Sequence, residues 1–193
     1  MVHSIPFFTF IFIAAFTPGP NNCMALSHAT RGIRSGLVFS TGVFAGMLVV
    51  MLLCGFLSGT LARNLAYAEV FMKILGVGYM LWLAWSLWKS DSVQEAPLCR
   101  TETLLWTGCV LQLVNPKLIA YGMAAFSTFI LPQYNDVPSI LWHAVLLALV
   151  GYAGTLTWAL CGVALHKAFR SHPAAINKSL AVMVFLCAIT MAL

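Results

Sequence analysis

From residue 36 to residue 61 the chain runs without a charged side chain. That is enough to cross the hydrocarbon of a bilayer, which takes about 20 residues of helix. Lipid offers no hydrogen bonds to an opened backbone, so such a run must be helical from end to end or find its own partners inside the protein. Five more apolar runs obey the same constraint. The expected spans are 4–27, 36–61, 68–88, 103–131, 139–165 and 174–193. Composition agrees, because 61% hydrophobic against 8% charged residues and a mean hydropathy of +0.93 leave too few charges to solvate a globule of this size. The expected fold is an all-α polytopic membrane protein with six transmembrane helices.

The net charge of +5 does not point to nucleic acid, since the cations are scattered singly with no basic stripe and no interleaved aromatics. Their distribution reads as a topology signal. Arg31 and Arg34 fall in the first connection, Lys89 and Arg100 in the third, and Lys167 and Arg170 in the fifth, while the fourth has no cation. By the positive-inside rule the odd connections face the cytoplasm, with Arg63 the one dissenter, and both termini lie outside the inner membrane. The first apolar run is expected to remain as a helix, because its leader offers only His3 and Ser4 and its apolar stretch continues toward Leu26. The polar stretch 89–102, with Asp91, Glu95 and Pro97, is the expected cytoplasmic linker. It divides a single membrane domain, 1–193, into halves of about 1–90 and 100–193.

An offset of 98 places Pro18 on Pro116, the second span on the fifth and the third on the sixth. Three spans per half is an odd number, so the halves run through the bilayer in opposite directions. Inverted repeats with broken first helices place binding sites near the midplane of many secondary transporters.

The two breaks are Thr17-Pro18-Gly19-Pro20-Asn21-Asn22 and Asn115-Pro116-Lys117. Pro18 and Pro20 have no amide hydrogen and Gly19 is permissive, so carbonyls of the preceding turn lose their helical partners inside hydrocarbon, at several kcal/mol each unless replaced. Thr17, Asn21 and Asn22 can replace them. A helix restarting at Pro20 also presents free amides and the positive end of its dipole, a seat for the carboxylate of a small zwitterion. The alternative is a proline kink that serves packing alone. Lys117 is the second pointer, since a lysine at mid-membrane costs roughly 2.5–3.5 kcal/mol and is normally paired or wet. Every acid, Glu69, Asp91, Glu95, Glu102 and Asp136, lies at a loop or span end. Backbone carbonyls, water, Gln112, Asn115 or an anionic substrate group are therefore the partners open to Lys117, with substrate carboxylate or cavity water favoured and snorkelling to an interface the alternative. Tyr121, one turn beyond, either faces the same cavity or packs.

Other positions read as structure. Glu69 and Lys73 are spaced to pair on one helix face, Gly42/Gly46 and Gly55/Gly59 allow close helix approach, and Trp82, Trp85 and Trp88 suit an interfacial belt. Neither the histidines nor the six cysteines have metal or disulfide spacing. No phosphate loop, paired carboxylates or nucleophile elbow occurs, which argues against an enzyme and implies no cofactor.

Phe16 through Asn22, the glycine-spaced second span and Leu113-Val114-Asn115-Pro116-Lys117 resemble the lysine exporter (LysE/RhtB) family of bacterial amino-acid exporters. Met51 through Cys54, Leu111 through Lys117, Ser127 through Gln133 and Trp158 through Leu160 look most like its cysteine/O-acetylserine branch. The resemblance implies an inner-membrane exporter of small neutral amino acids driven by the proton gradient, an antiporter, with the two break motifs as its site. Homoserine, threonine or leucine are alternative cargoes, and a membrane enzyme, an assembly factor or a passive channel are the competing classes. Expected partners are the amino acid, protons and lipid, with homo-oligomerisation open. The site residues expected from motif and resemblance together are Thr17, Pro18, Gly19, Pro20, Asn21, Asn22, Gln112, Asn115, Pro116, Lys117 and Tyr121. Lys117 is a candidate both for binding and for carrying a proton.

Overall fold

A computed structural model describes residues 4–30, 32–61, 101–165 and 172–192, with helical residues scattered through 74–89. The described residues are all-helical, with no strand among them. Helix α1 (Ser4–Phe16) is followed by α2 (Pro20–Thr30), α3 (Ile33–Leu61), α4 (Thr101–Leu113) and α5 (Pro116–Ala124), which runs on as a π-helical segment, Ala125–Ile130; α6 (Val137–Ala164) and α7 (Pro173–Ala192) complete the chain.

Local chemistry sets the ends of these elements. Helix α1 stops where Pro18 and Pro20 withhold the next amide donors, and α2 restarts with Pro20 in its first turn, the one place where a missing amide costs nothing. Gly32 joins α2 to α3 at φ 153°, a backbone angle that side chains rarely adopt. Between α4 and α5, Asn115 is held extended (φ −85°, ψ 103°) ahead of Pro116, and its side chain caps α5 by accepting from the Leu118 amide at 3.4 Å. Asp136 caps α6 in the same way, accepting from the Ser139 amide at 3.0 Å. That hydrogen bond holds the Asp136 carboxyl below its ordinary range.

Among the described residues, two unbroken helical stretches are long and apolar enough to cross a bilayer, Ile33–Ser58 and Val137–Ala164. At about 1.5 Å per residue, the 26 and 28 residues concerned exceed the hydrocarbon thickness of roughly 30 Å. A third span is broken: Glu102–Leu113 and Pro116–Ile130 meet at a bend of 55°. The expected first span is divided into α1 and α2 at 17–19, and α7 covers the expected sixth. Most of the expected third span, the Glu69–Lys73 pair, the linker 90–100, Cys99 and the surroundings of Gly59 lie outside the described residues.

Helix α3 lies at the centre, packed on α4 and α6, while α6 also carries α1 and α2. Glycines set these distances. A side chain on Gly42 or Gly46 would run into the carbonyls of Leu105 and Cys109 on α4, and one on Gly108 into the carbonyl of Phe39. On the other side, Gly154 faces the Ala15 carbonyl, 2.6 Å from where a Cβ would sit, and Gly162 faces that of Leu26. Backbones this close gain dispersion and weak Cα–H contacts, the forces left for helix association once lipid has removed the hydrophobic drive. Phe39, Val43, Met51, Phe126 and Leu147 fill the remaining core. Ile5, Phe12, Ile13, Leu53, Phe56, Trp106, Val110 and Leu160 point outward on several helices. An apolar surface that wide is intolerable in water and ordinary in lipid.

Candidate functional site at the two helix breaks

The break at 17–19 leaves a cluster of carbonyls at the end of α1, met by local donors from Thr17 and Asn22 and by distant ones from Lys117 and Trp158. Ile13 keeps a local partner, accepting the Thr17 amide at 3.0 Å and the Thr17 hydroxyl at 2.5 Å. The Asn22 amide nitrogen reaches back to the carbonyls of Ala15 at 3.1 Å and Thr17 at 3.0 Å. From α6, the Trp158 indole donates to the Phe16 carbonyl at 3.1 Å. From the other break, the Lys117 ammonium donates to the carbonyls of Thr17 at 2.9 Å and Pro18 at 3.3 Å. The carbonyls of Ala15, Phe16, Thr17 and Pro18 thereby find donors within the protein.

Lys117 thus points inward to the other break, and backbone carbonyls, one of the partners open to it, accept from its ammonium. Its stem packs so closely over Gly19 that a Cβ there would sit 3.2 Å from Nζ. The arrangement is a cross-link between breaks, with a cation at the negative end of α1, where the helix dipole favours it.

A second cross-link lies beside the first. Asn21 donates to Gln112 at 2.5 Å and Gln112 returns a hydrogen bond to Asn21 at 3.0 Å, while the Gln112 nitrogen also donates to the Gly108 carbonyl. Gln112 is fully buried and Asn21 nearly so, so the paired amides leave neither exposed to lipid without a partner. Asn22 spans three elements, accepting from the Thr155 hydroxyl at 3.3 Å as it donates to α1. The three asparagines among the expected site residues each serve the fold. Asn21 pairs with Gln112, Asn22 satisfies the break and Asn115 caps α5.

Between the breaks is a cavity of about 40 Å³ lined by Ala14, Ala15, Gly19 to Asn22, Met47, Asn115, Lys117, Leu118, Tyr121 and Gly151. Its polar wall consists of the first turn of α2 with the ammonium; its apolar wall comes from α1, α3 and α6. Tyr121 faces this space, stacked on Phe10 at 5.9 Å with its hydroxyl 3.5 Å from the Leu147 carbonyl. Gln112 is one helical turn outside the lining, and Pro116 starts the helix that carries Lys117. Motif reading missed Trp158, Thr155 and Met47. The signal for the first two was a hydrogen-bonding group deep in the otherwise apolar run 139–165; Met47 carried none.

The sequence pattern of a family described as LysE type translocator matches residues 12–193. The chain belongs to that family. This LysE-type translocator is 38% identical over 188 residues to the cysteine/O-acetylserine efflux protein of Escherichia coli strain K12, an alignment covering 95% of this chain and 94% of that protein. The proteins of the same name from Escherichia coli O139:H28 strain E24377A and Shigella flexneri serotype 5b strain 8401 match with the same identity and coverage. No solved structure matches the chain. Family and apolar helices together make it a multi-pass membrane protein that acts as a transporter, and not an enzyme.

Proposed function

We propose that this translocator exports small neutral amino acids, cysteine and O-acetylserine foremost, from the bacterial cytoplasm through the cavity between its two breaks. The observation that carries the reading is the Lys117 ammonium standing beside the first turn of α2. A carboxylate entering there meets a positive charge together with the amides of Asn21 and Asn22, whose places at the start of α2 leave them without helical acceptors. Thr17 to Asn22, Gln112, Asn115 to Lys117 and Tyr121 make up the transport site, some by contact and some by holding the breaks in place.

The cavity holds about three waters, at roughly 10–15 Å³ each. Cysteine has more heavy atoms than that, so the conformation described is contracted and cargo enters only when the halves separate. Alternating access supplies the separation. The packing pattern supports a six-helix inverted repeat of about 1–90 and 100–193, joined by a linker at 89–102. Helix α3, the second span of one half, lies with its glycines on the broken span of the other, and α6 does the same in return. The apolar spans of the sequence hold no carboxylate to carry a proton, which leaves Lys117 as the candidate carrier, and its release from the carbonyls of Thr17 and Pro18 is the step a proton gradient can bias. Both termini lie on the periplasmic side in this arrangement.

Counterflow in proteoliposomes tests the reading. With labelled cysteine, O-acetylserine, threonine, leucine and lysine compared at equal concentration, cysteine and O-acetylserine exchange fastest, lysine slowest, and an imposed pH gradient accelerates net movement. Exchange of none of the five by folded protein contradicts the proposal.

A further inference from the structure

One wall of the cavity continues outward as a column of aromatic rings. Tyr121 stacks on Phe10 with centroids 5.9 Å apart, Phe10 meets Phe129 at 5.7 Å, and Phe129 meets Phe7 at 5.7 Å. Phe7 lies 6.4 Å from His143, which lies 5.5 Å from Tyr134 at the surface. These separations are those of rings in mutual contact. The column reaches from the transport cavity to the connection 131–136, and beyond the Tyr121 hydroxyl its rings Phe10, Phe129 and Phe7 offer no polar group to a zwitterion. Its members come from three elements: Phe7 and Phe10 from α1, Phe129 from the π segment, His143 from α6.

The π segment gives this column a hinge. A π turn holds one residue more than an α turn, and such turns occur mostly as single insertions at functional places. Here the extra residue is marked by the Leu131 amide, which bonds back to the Phe126 carbonyl at 2.9 Å. The inner end of the segment is anchored, since Phe126 is fully buried with its ring against Gly55. Conversion to α geometry would leave that end in place and turn the following residues by about 100°, one residue's rotation at 3.6 residues per turn. Phe129 would leave Phe7 and Phe10, and the column would part.

We infer that Phe7, Phe10 and Phe129 form the barrier closing the transport path on the side of the 131–136 connection, and that winding of Ala125–Ile130 from π to α geometry opens it. The inference rests on the cavity being the transport site, and it assigns that site's outward gate. The motifs at the breaks contain none of these three rings.

The test uses a transport-competent variant without native cysteines, carrying Phe7→Cys with Phe129→Cys, in proteoliposomes. Joining the two thiols with a short bis-methanethiosulfonate lowers O-acetylserine counterflow at least tenfold, and reduction restores it. In parallel, Phe129→Ala in the otherwise parental chain lets preloaded O-acetylserine leak several times faster without exchangeable substrate outside. Undiminished counterflow after verified cross-linking overturns the gate and leaves the transport reading intact. If the double variant is inactive even when reduced, Phe129→Ala decides: a leak supports the barrier, and vesicles as tight as the parental ones overturn it. Absence of counterflow by the parental protein strikes the transport reading itself, so the two failures are distinguishable.

Discussion

Lys117→Met lowers O-acetylserine counterflow by about tenfold or more, although methionine fits the same space. The substitution removes the ammonium that spans the two breaks and leaves the carbonyls of Thr17 and Pro18 short of a donor. Each buried group deprived of its partner costs about 1–3 kcal/mol. Thr17 loses least, because Asn22 still reaches it at 3.0 Å. A lower thermal midpoint in detergent should therefore accompany the loss of flux. On the proposed site the cargo carboxylate also loses its charged partner, which separates this variant from one that only loosens the break. Trp158→Phe removes the hydrogen bond to Phe16 without touching the cavity lining, and is expected to lower the midpoint while keeping most of the flux. Parental counterflow by a well-folded Lys117→Met variant would remove the lysine from the site.

Gly108→Leu prevents assembly. A Cβ at this position meets the Phe39 carbonyl and lies 2.9 Å from the Val43 amide nitrogen, so the obstacle is backbone on α3 and cannot turn aside as a flexible side chain would. Overpacking of this kind costs about 3 kcal/mol, and α4 must move away from α3 to relieve it. That movement carries Gln112 off Asn21, so the damage reaches the breaks. The expected result is little or no monodisperse protein after extraction, with Gly108→Ala intermediate. Val110→Leu, on the same helix but with its side chain half exposed to lipid, should leave yield and midpoint at parental values. Equal yields of the two leucine variants would show that the α3–α4 contact does not govern folding.

What could be read from the sequence was whatever depends on residue type and spacing along one helix. Proline chemistry placed the breaks at Pro18 to Pro20 and at Pro116, and the charge-free run 36–61 marked α3. The spacing of Gly42 and Gly46 announced the close approach that α4 fills. Partners across the chain were illegible for a physical reason. The Lys117 ammonium and the Thr17 carbonyl meet because four helices pack at particular depths and rotations, which hydropathy does not encode. The same holds for Asn21 and Gln112: each was recognisable as a polar residue in need of a partner, but residue type does not say that each satisfies the other. A motif also directs attention to itself. Three asparagines at two breaks resemble ligands for a substrate, while backbone groups at the breaks and the side chains of Gln112 and Thr155 already engage them. The π segment gave no sign because Ala125–Ile130 is compatible with either helix type, and its wider turn shows only in the bond from Leu131 back to Phe126.

Cargo held between the two breaks, against the first turn of α2 and Lys117, must shield whatever else lines that space. Met47 lines it from α3, so Met47→Cys in a chain without its native cysteines provides a thiol at the site, and Trp106→Cys provides one facing lipid. Alkylation of the Met47→Cys thiol should slow several-fold as O-acetylserine reaches saturation, with the Trp106→Cys thiol reacting at the same rate throughout. An unchanged rate at both positions, in protein that still exchanges O-acetylserine, would mean that the cargo passes elsewhere.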